Sequence, residues 1–102
     1  MQLNHDLWLY FAVDDLTVYL PLASLVPTKP PETQPDSVDN AERLMNEAAL
    51  GQRPKRPPIT VAPADDGDRF WIVDGNATYG VAERHGWETL PCHVIQSPDL
   101  PG

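Results

Sequence analysis

A short polar segment, residues 73–78, lies between an apolar run and a stretch with helical spacing. Glycine lets a backbone come close to a ligand, and the free N–H groups of a helix's first turn attract an anion. Gly75 and the amides of Asn76, Ala77 and Thr78 are therefore candidates for binding a phosphate or nucleotide. Taken alone, one glycine before a helix more often marks an ordinary turn.

Carboxylates surround this segment, and the first question is whether they could hold a metal ion. Asp74 directly precedes the predicted helix, so it is a candidate helix cap and, as a lesser alternative, a contact to a magnesium-phosphate group. Asp65, Asp66 and Asp68 flank a glycine, which is ordinary hairpin-turn chemistry and does not fit the spacing of an EF-hand loop. The sequence therefore predicts no metal site.

Residue types that could act as nucleophiles or zinc ligands are few and widely spaced. His5, His85 and His93 lack the short spacing of a zinc site, and no serine lies in a Gly-x-Ser-x-Gly context. His85 is expected at a helix C-terminus, where the dipole favours a cation. Cys92 is expected to be a small buried side chain. No catalytic residue is predicted.

Composition limits the functions that remain. The chain has 102 residues and 41% hydrophobic residues, which fits one small domain. Its net charge of -8 makes nucleic-acid and anionic-membrane partners unlikely, with Arg53, Lys55 and Arg56 as a local basic exception. A single cysteine, together with the absence of a basic flank before the first apolar run, leads us to expect a cytoplasmic protein.

The N-terminal third predicts two strands joined by a tight turn. Residues 7–13 and 16–20 are rich in aromatic and aliphatic side chains, although one continuous helix is an alternative. In such an extra hairpin Trp8, Tyr10 and Tyr19 would form an exposed aromatic edge for a protein partner or a second copy. The alternative is that these three side chains fill the core.

A helix is predicted in the middle of the chain. Residues 27–35 are proline-rich and cannot be helical, so Asp36 or Ser37 is expected to cap the helix that follows. Gly51 is expected to end it. The predicted buried stripe consists of Val38, Ala41, Met45 and Ala48.

The last third predicts two strands, a short helix and a final strand. The strands are expected at residues 58–62, 69–73 and 90–95, and the helix from Asn76 to about His85. Trp71 is expected in the core, and Trp87 is expected to pack the returning chain onto the sheet. The predicted class is α+β, with a small mixed sheet and two main helices.

Three sequence pieces occur in an order that is informative. Thr33-Gln34-Pro35 precedes the first helix, residues 58–61 follow it, and residues 73–76 lead into the second helix. This order resembles the superfamily of ParB N-terminal domains and sulfiredoxins over residues 18–95. The resemblance implies a first strand within residues 19–27 and a strand-loop-helix unit that holds a nucleotide phosphate, with Gln34 beside it.

The sequence departs from the family motifs at this unit. Members resembling ParB carry Gly-Glu-Arg-Arg and sulfiredoxins carry Gly-Cys-His-Arg, whereas this chain has Gly75-Asn76-Ala77-Thr78. The arginine is missing, and Asn76 replaces the cysteine, so sulfinic acid reduction is excluded. Asp36 also follows Gln34-Pro35 where the family has arginine. These losses of positive charge predict weak nucleotide or anion binding at most.

The sequence therefore favours a non-catalytic binding or regulatory module. By resemblance it would be of mobile-element or phage type and act through a protein partner or homodimer, with a weak nucleotide or anion site. The alternative is a ParB-like nuclease or nucleotide hydrolase. We expect one domain, with residues 1–17 as an N-terminal strand or hairpin, 18–95 as its core and 96–102 as a loose tail.

Overall fold

The protein is described by a computed structural model over residues 7–65 and 67–95. His5, Asp66 and the predicted tail 96–102 lie outside the described residues. The chain forms β1 (Val18–Pro21), β2 (Leu25–Pro27), α1 (Pro35–Ala49), β3 (Ile59–Pro63), β4 (Phe70–Asp74), α2 (Asn76–Arg84) and β5 (Thr89–Val94). Short 3-10 turns occupy Leu7–Leu9, Leu22–Ser24 and Pro31–Thr33. The predicted α+β class is confirmed. None of the described helices is long and apolar enough to cross a membrane.

The five strands form one mixed sheet in the order β1-β5-β3-β4-β2. β5 and β3 are parallel, as are β4 and β2, whereas the β1-β5 and β3-β4 pairs are antiparallel. The two edge strands, β1 and β2, are separated by only the three residues Leu22–Ser24. Four strand spacings in a flat sheet would need about 19 Å, but four Cα steps reach only about 15 Å. The sheet must therefore curl to bring its edges together.

The resemblance implied one strand within residues 19–27, and the structure divides this segment between opposite edges of the sheet. β1 pairs with β5 and ends at Pro21, which lacks the N–H needed to continue a ladder. The Ser24 hydroxyl donates to the Pro21 carbonyl at 2.8 Å and stabilises the turn. Leu25 then begins β2 beside Phe70 of β4.

The predicted N-terminal hairpin is wrong. Leu7–Leu9 is a 3-10 turn, and the residues after it pair with the loop before β3. The Arg56 N–H donates to the Tyr10 carbonyl at 2.8 Å, and the Ala12 N–H donates to the Arg56 carbonyl at 2.8 Å. Tyr10 and Phe11 are buried in this position, so the segment is held both by backbone pairing and by burial of large side chains.

Helix α1 has the predicted buried stripe but begins differently. It starts at Pro35, with Gln34 as its N-cap residue and no side-chain capping hydrogen bond, so neither Asp36 nor Ser37 caps it. Proline is favoured in the first turn because its φ is already helical and its missing N–H would have no partner there. The stripe of Val38, Ala41, Met45 and Ala48 is buried as predicted.

The predicted stop of α1 at Gly51 is confirmed. Gly51 has φ +79°, which glycine adopts easily. Its N–H donates to the Ala48 carbonyl at 3.1 Å, and the Gln52 N–H donates to the Glu47 carbonyl at 2.9 Å. These two bonds satisfy carbonyls at the helix end in a Schellman motif.

The core contains some but not all of the side chains predicted for it. Trp87 is buried, as predicted, and stacks on Tyr10 with 5.5 Å between ring centroids. Cys92 is also buried, and burial raises the pKa of its thiol to about 11. Trp71 was expected in the core but is 45% exposed, because it alternates along β4 with the fully buried Ile72 and faces away from the core.

Ion pairs join the surfaces of the two helices. The Arg84 guanidinium and the Nε2 atom of His85, which lies at the C-terminus of α2 as predicted, are each 3.0 Å from Oε1 of Glu42 in α1. Burial alone would raise the pKa of Glu42, but the hydrogen bonds from His85 and Arg84 outweigh burial. The pKa of Glu42 therefore lies below its ordinary value of 4.5.

Glu42→Gln should destabilise the protein at neutral pH more than at low pH. Since folding lowers the pKa of Glu42, its contribution is fully present above the unfolded value and disappears as pH falls through the folded pKa. For this partly exposed group we expect a loss of no more than about 1 kcal/mol at pH 7. Urea unfolding of wild type and Glu42→Gln at pH 7, 5 and 3 measures the difference in their free energies of unfolding. A difference that does not shrink at low pH would contradict the lowered pKa of Glu42.

Candidate functional site

The candidate site lies where β4 passes into α2. Gly75 connects them with φ +119°, a conformation that other residues rarely adopt. A Cβ atom at this position would lie 2.6 Å from the Cβ of Ile59 in β3, so the backbone packs directly onto that side chain. Glycine is therefore required here both by its φ and by the close contact.

The N-terminus of α2 has no side-chain cap. The first hydrogen bond within α2 runs from the Tyr79 N–H to the Gly75 carbonyl, at 2.9 Å. The N–H groups of the three residues between them therefore have no partner within the helix. These residues are the predicted candidates Asn76, Ala77 and Thr78. The proposed capping role of Asp74 is wrong, because Asp74 ends β4 and Gly75 occupies the N-cap position.

A cleft of about 290 Å³ opens beside this helix N-terminus. Besides the 73–78 segment, three other stretches of chain contribute to it: the loop after β2, the start of α1 and the loop before β3. All the predicted phosphate-binding residues line this cleft, together with cationic residues that had not been assigned to it. The lining comprises Thr28, Lys29, Gln34, Ser37, Arg56, Val73, Asp74, Gly75, Asn76, Ala77 and Thr78.

Lys29 and Arg56 supply positive charge to the cleft. Neither forms an ion pair with any residue in the described ranges, whereas other arginines of the chain are neutralised. Arg43 and Arg53 both pair with Glu47 on α1. On a chain with a net charge of -8, two cationic residues that have no acidic partner among the described residues therefore line the same cleft. This is the electrostatic arrangement that attracts a phosphate.

Of the two carboxylates that the sequence placed near a bound phosphate, only one lines the cleft. Asp36 was expected at the position of a phosphate contact, but it is exposed on the first turn of α1 and does not line the cleft. Asp74 lines the cleft instead. No group of three or more potential metal ligands of the His, Cys, Asp or Glu type occurs in the part of the chain that the structure describes.

Asn76 uses its side chain inside the protein. It is only 9% exposed, and its Oδ1 accepts hydrogen bonds from the backbone N–H groups of Thr28 at 2.9 Å and Lys29 at 3.1 Å. Its Nδ2 donates to the Thr28 hydroxyl at 3.0 Å. Asn76 lines the cleft, while its side chain connects α2 to the loop after β2. Gln34 lies nearby, with Nε2 3.4 Å from the Lys29 carbonyl.

The predicted partner surface is only partly exposed. Trp8 is 60% exposed and carries the Lys55 ammonium 5.5 Å from its ring centroid, and Tyr19 is 50% exposed. Tyr10 is 2% exposed because it stacks on Trp87, so it does not belong to this surface. Trp71 adds a further exposed aromatic ring on the outer face of the sheet.

Sequence reasoning missed Lys29 and Arg56 as residues of the site. Lys29 lies 46 positions before Gly75 in a proline-rich loop, and no local pattern connects the two. Arg56 belongs to the basic stretch that the sequence identified, but that stretch was not assigned to the site. Only the pairing of β2 and β3 with β4 brings both residues to the N-terminus of α2.

Neither a protein-family model nor a curated protein matches the sequence. Solved structures do match. A conserved hypothetical protein from Pyrococcus furiosus matches with a TM-score of 0.61 and 18% identity, covering 82% of this chain and 34% of its own. A free serine kinase mutant in complex with AMP matches with a TM-score of 0.61 and 16% identity, covering 83% and 35%.

The chromosome-partitioning protein ParB from Caulobacter crescentus, complexed with CTP-γ-S, matches with a TM-score of 0.53 and 23% identity. The match covers 82% of this chain and 46% of that ParB chain, so this chain spans less than half the length of each of these proteins. At these identities the likeness concerns the fold alone. The chain therefore shares its fold with the ParB structure and with the other two, and a ParB-like fold is what the sequence resemblance predicted.

Proposed function

We propose that this chain is a non-catalytic nucleotide-binding module that holds a phosphate group in the cleft at the N-terminus of α2. The observation that carries the proposal is the position of Lys29 and Arg56. Both line the same cleft as the uncapped helix N-terminus, and neither has an acidic partner among the described residues. Helix N–H groups and side-chain cations together are a recurrent solution for binding phosphate.

Ligands of proteins with this fold support the choice of a nucleotide. The free serine kinase structure contains AMP and the ParB structure contains CTP-γ-S. The arginine expected from the family motif is missing here, but Lys29 and Arg56 supply cations from other segments. This arrangement favours a mononucleotide phosphate over a long nucleic acid, because the chain as a whole remains strongly acidic.

The proposal that the module is non-catalytic rests on the composition of the cleft. Asp74 is the single carboxylate among its lining residues, and the lining contains no histidine or cysteine. Asp74 could serve as a base in a nucleotide hydrolase, which is the alternative function. Hydrolysis by general acid and base would require a second proton-transferring group, and Lys29 is the candidate in the lining, which the proposal assigns to phosphate binding.

A signal from such a module would pass through a protein partner. The exposed rings of Trp8 and Tyr19 support this part of the proposal, since large exposed aromatic side chains are enriched at protein interfaces. Whether the partner is a second copy of this chain can be measured by analytical ultracentrifugation with and without nucleotide.

Calorimetric titration with AMP, ADP, ATP, CTP, adenosine and inorganic phosphate tests the proposed function. We expect binding of the phosphorylated ligands and none of adenosine, because the cleft recognises negative charge. Their affinity should fall as NaCl is raised from 50 to 300 mM, since salt screens the two cations. Thermal unfolding in the same series should report stabilisation of the bound form.

The same samples distinguish the two functions. Incubation of the tightest-binding nucleotide with the protein and Mg²⁺, followed by phosphorus NMR, should return the nucleotide unchanged. Release of phosphate or diphosphate at a rate that Asp74→Asn abolishes would favour the hydrolase. Absence of binding by every phosphorylated ligand, with the protein folded, would overturn the proposed function.

A further inference from the structure

Hydrogen bonds of one side chain tie the N-terminus of α2 to the loop after β2. Asn76 Oδ1 accepts from the N–H groups of Thr28 and Lys29, and Asn76 Nδ2 donates to the Thr28 hydroxyl. Two N–H donors point at the same side-chain atom, which fixes that atom as the amide oxygen. The Thr28 hydroxyl in turn donates to the Ile72 carbonyl of β4 at 2.7 Å.

The backbone of Lys29 is consequently held at both of its polar groups. Its N–H is bound by Asn76 at 3.1 Å, and its carbonyl accepts a long hydrogen bond of 3.4 Å from Gln34 Nε2. Pro27 and Pro30, two residues before and one residue after, restrict the loop further. Lys29 itself is exposed, so these contacts are what keep the backbone that carries its side chain beside the cleft.

We infer that Asn76 is a positioning residue, which acts on phosphate binding by holding Lys29 beside the cleft. This role rests on the proposed function, and it explains how Lys29, one of the two cationic residues that line the cleft, is held in place. Asn76 stands at the first helical position, where a phosphate would meet its backbone N–H. Its side chain is directed to the loop, so its effect on a bound phosphate passes through Lys29.

This role differs from that of a direct ligand in a measurable way. If the Asn76 side chain bound the phosphate itself, its removal would weaken binding whether or not the ammonium of Lys29 were present. If Asn76 acts through Lys29, its removal has no further effect once the ammonium is gone. A double-mutant cycle separates these cases because it measures the coupling between two residues.

The test compares wild type, Asn76→Ala, Lys29→Gln and the double variant, titrated with AMP and with inorganic phosphate in the calorimeter. Each single variant should lose about tenfold in affinity, the lower end expected for one charge-assisted contact, and the double variant should lose no more than Lys29→Gln alone. Thr28→Val removes the hydroxyl that Asn76 Nδ2 binds but leaves the Lys29 N–H bonded to Asn76 Oδ1, so it should lose affinity in the same direction as Asn76→Ala but by less. Thr28→Ser keeps that hydroxyl and should retain wild-type affinity.

Hydrogen exchange supplies a measurement that does not depend on a ligand. The amide protons of Thr28 and Lys29 should exchange faster in Asn76→Ala than in wild type, while amides in the middle of α1 keep their protection. Should Asn76→Ala fail to fold, the pair Thr28→Val and Thr28→Ser, each combined with Lys29→Gln, carries the same test.

Each outcome decides one point. Multiplying losses in the double variant would overturn the positioning role and leave the proposed function intact. Unchanged exchange of the two amides in a folded Asn76→Ala variant would overturn it as well. No binding of AMP or phosphate by wild type would overturn the proposed function and the positioning role together, and coupled losses support both.

Discussion

Gly75→Ala is expected to lower the free energy of unfolding by roughly 2–6 kcal/mol. A non-glycine residue held at φ +119° costs on the order of 1–3 kcal/mol in backbone strain. The new Cβ would also meet the Ile59 side chain, at 2.6 Å from its Cβ, and overpacking of this kind typically costs about 1–3 kcal/mol. For a domain of this size the midpoint of thermal unfolding should fall by about 10 °C or more.

Gly86→Ala is the matched control for this prediction. Gly86 also has a positive φ, +69°, but an added Cβ would meet no atom within 4 Å. This variant should therefore lose only the cost of backbone strain, about 1–2 kcal/mol. Urea unfolding followed by tryptophan fluorescence measures both variants. Equal losses would mean that the contact with Ile59 does not contribute to the requirement for glycine at position 75.

Elements that are determined by local signals could be predicted from the sequence. Helix α1 shows its stripe of buried residues and its glycine stop, and both are confirmed. The strands β3, β4 and β5 have high β propensity between clear turns and lie within about two residues of the predicted bounds. The glycine before α2 is likewise a local signal, because a positive φ leaves little choice of residue.

Features that depend on distant partners could not be predicted in the same way. The segment around Phe11 has the composition of a strand, but the loop at Arg56 offers it a backbone partner and a buried position. Trp71 lies in a strand whose inner face is occupied by Ile72, so the alternation of β4 places the larger ring outside. Sheet order decides both results, and sheet order has no local signature.

The candidate site likewise has one part that could be predicted from local sequence and one part that could not. The segment from Gly75 to Thr78 could be located from the sequence because strand, glycine and helix follow one another, although its role in binding stays a prediction. Lys29 and Arg56 could not be located, because folding brings them from separate loops. The structure also adds to the interpretation of Asn76. The sequence offered only its backbone N–H as a phosphate contact, whereas its side chain forms hydrogen bonds with the loop that contains Lys29.

The double variant Lys29→Gln, Arg56→Gln is expected to reduce the affinity for AMP by roughly a hundredfold or more. Each charge-assisted contact to a phosphate contributes about 1.5–3 kcal/mol, and the double variant loses both contacts. The N-terminus of α2 remains, but it cannot replace the attraction that the two cations supplied. The remaining binding should depend less on NaCl than that of wild type, since fewer charges are left to screen. Calorimetric titration at two salt concentrations measures both effects.

The double variant Arg43→Gln, Arg53→Gln distinguishes the effect of charges at the cleft from the effect of the net charge of the chain. This control also removes two positive charges, but both belong to ion pairs with Glu47 on α1, outside the cleft. Exposed pairs of this kind contribute little to stability, so both double variants should remain folded. If the control lost as much affinity as the cleft variant, the net charge of the chain would govern binding. If it bound AMP nearly as wild type does, the affinity would depend on where Lys29 and Arg56 lie.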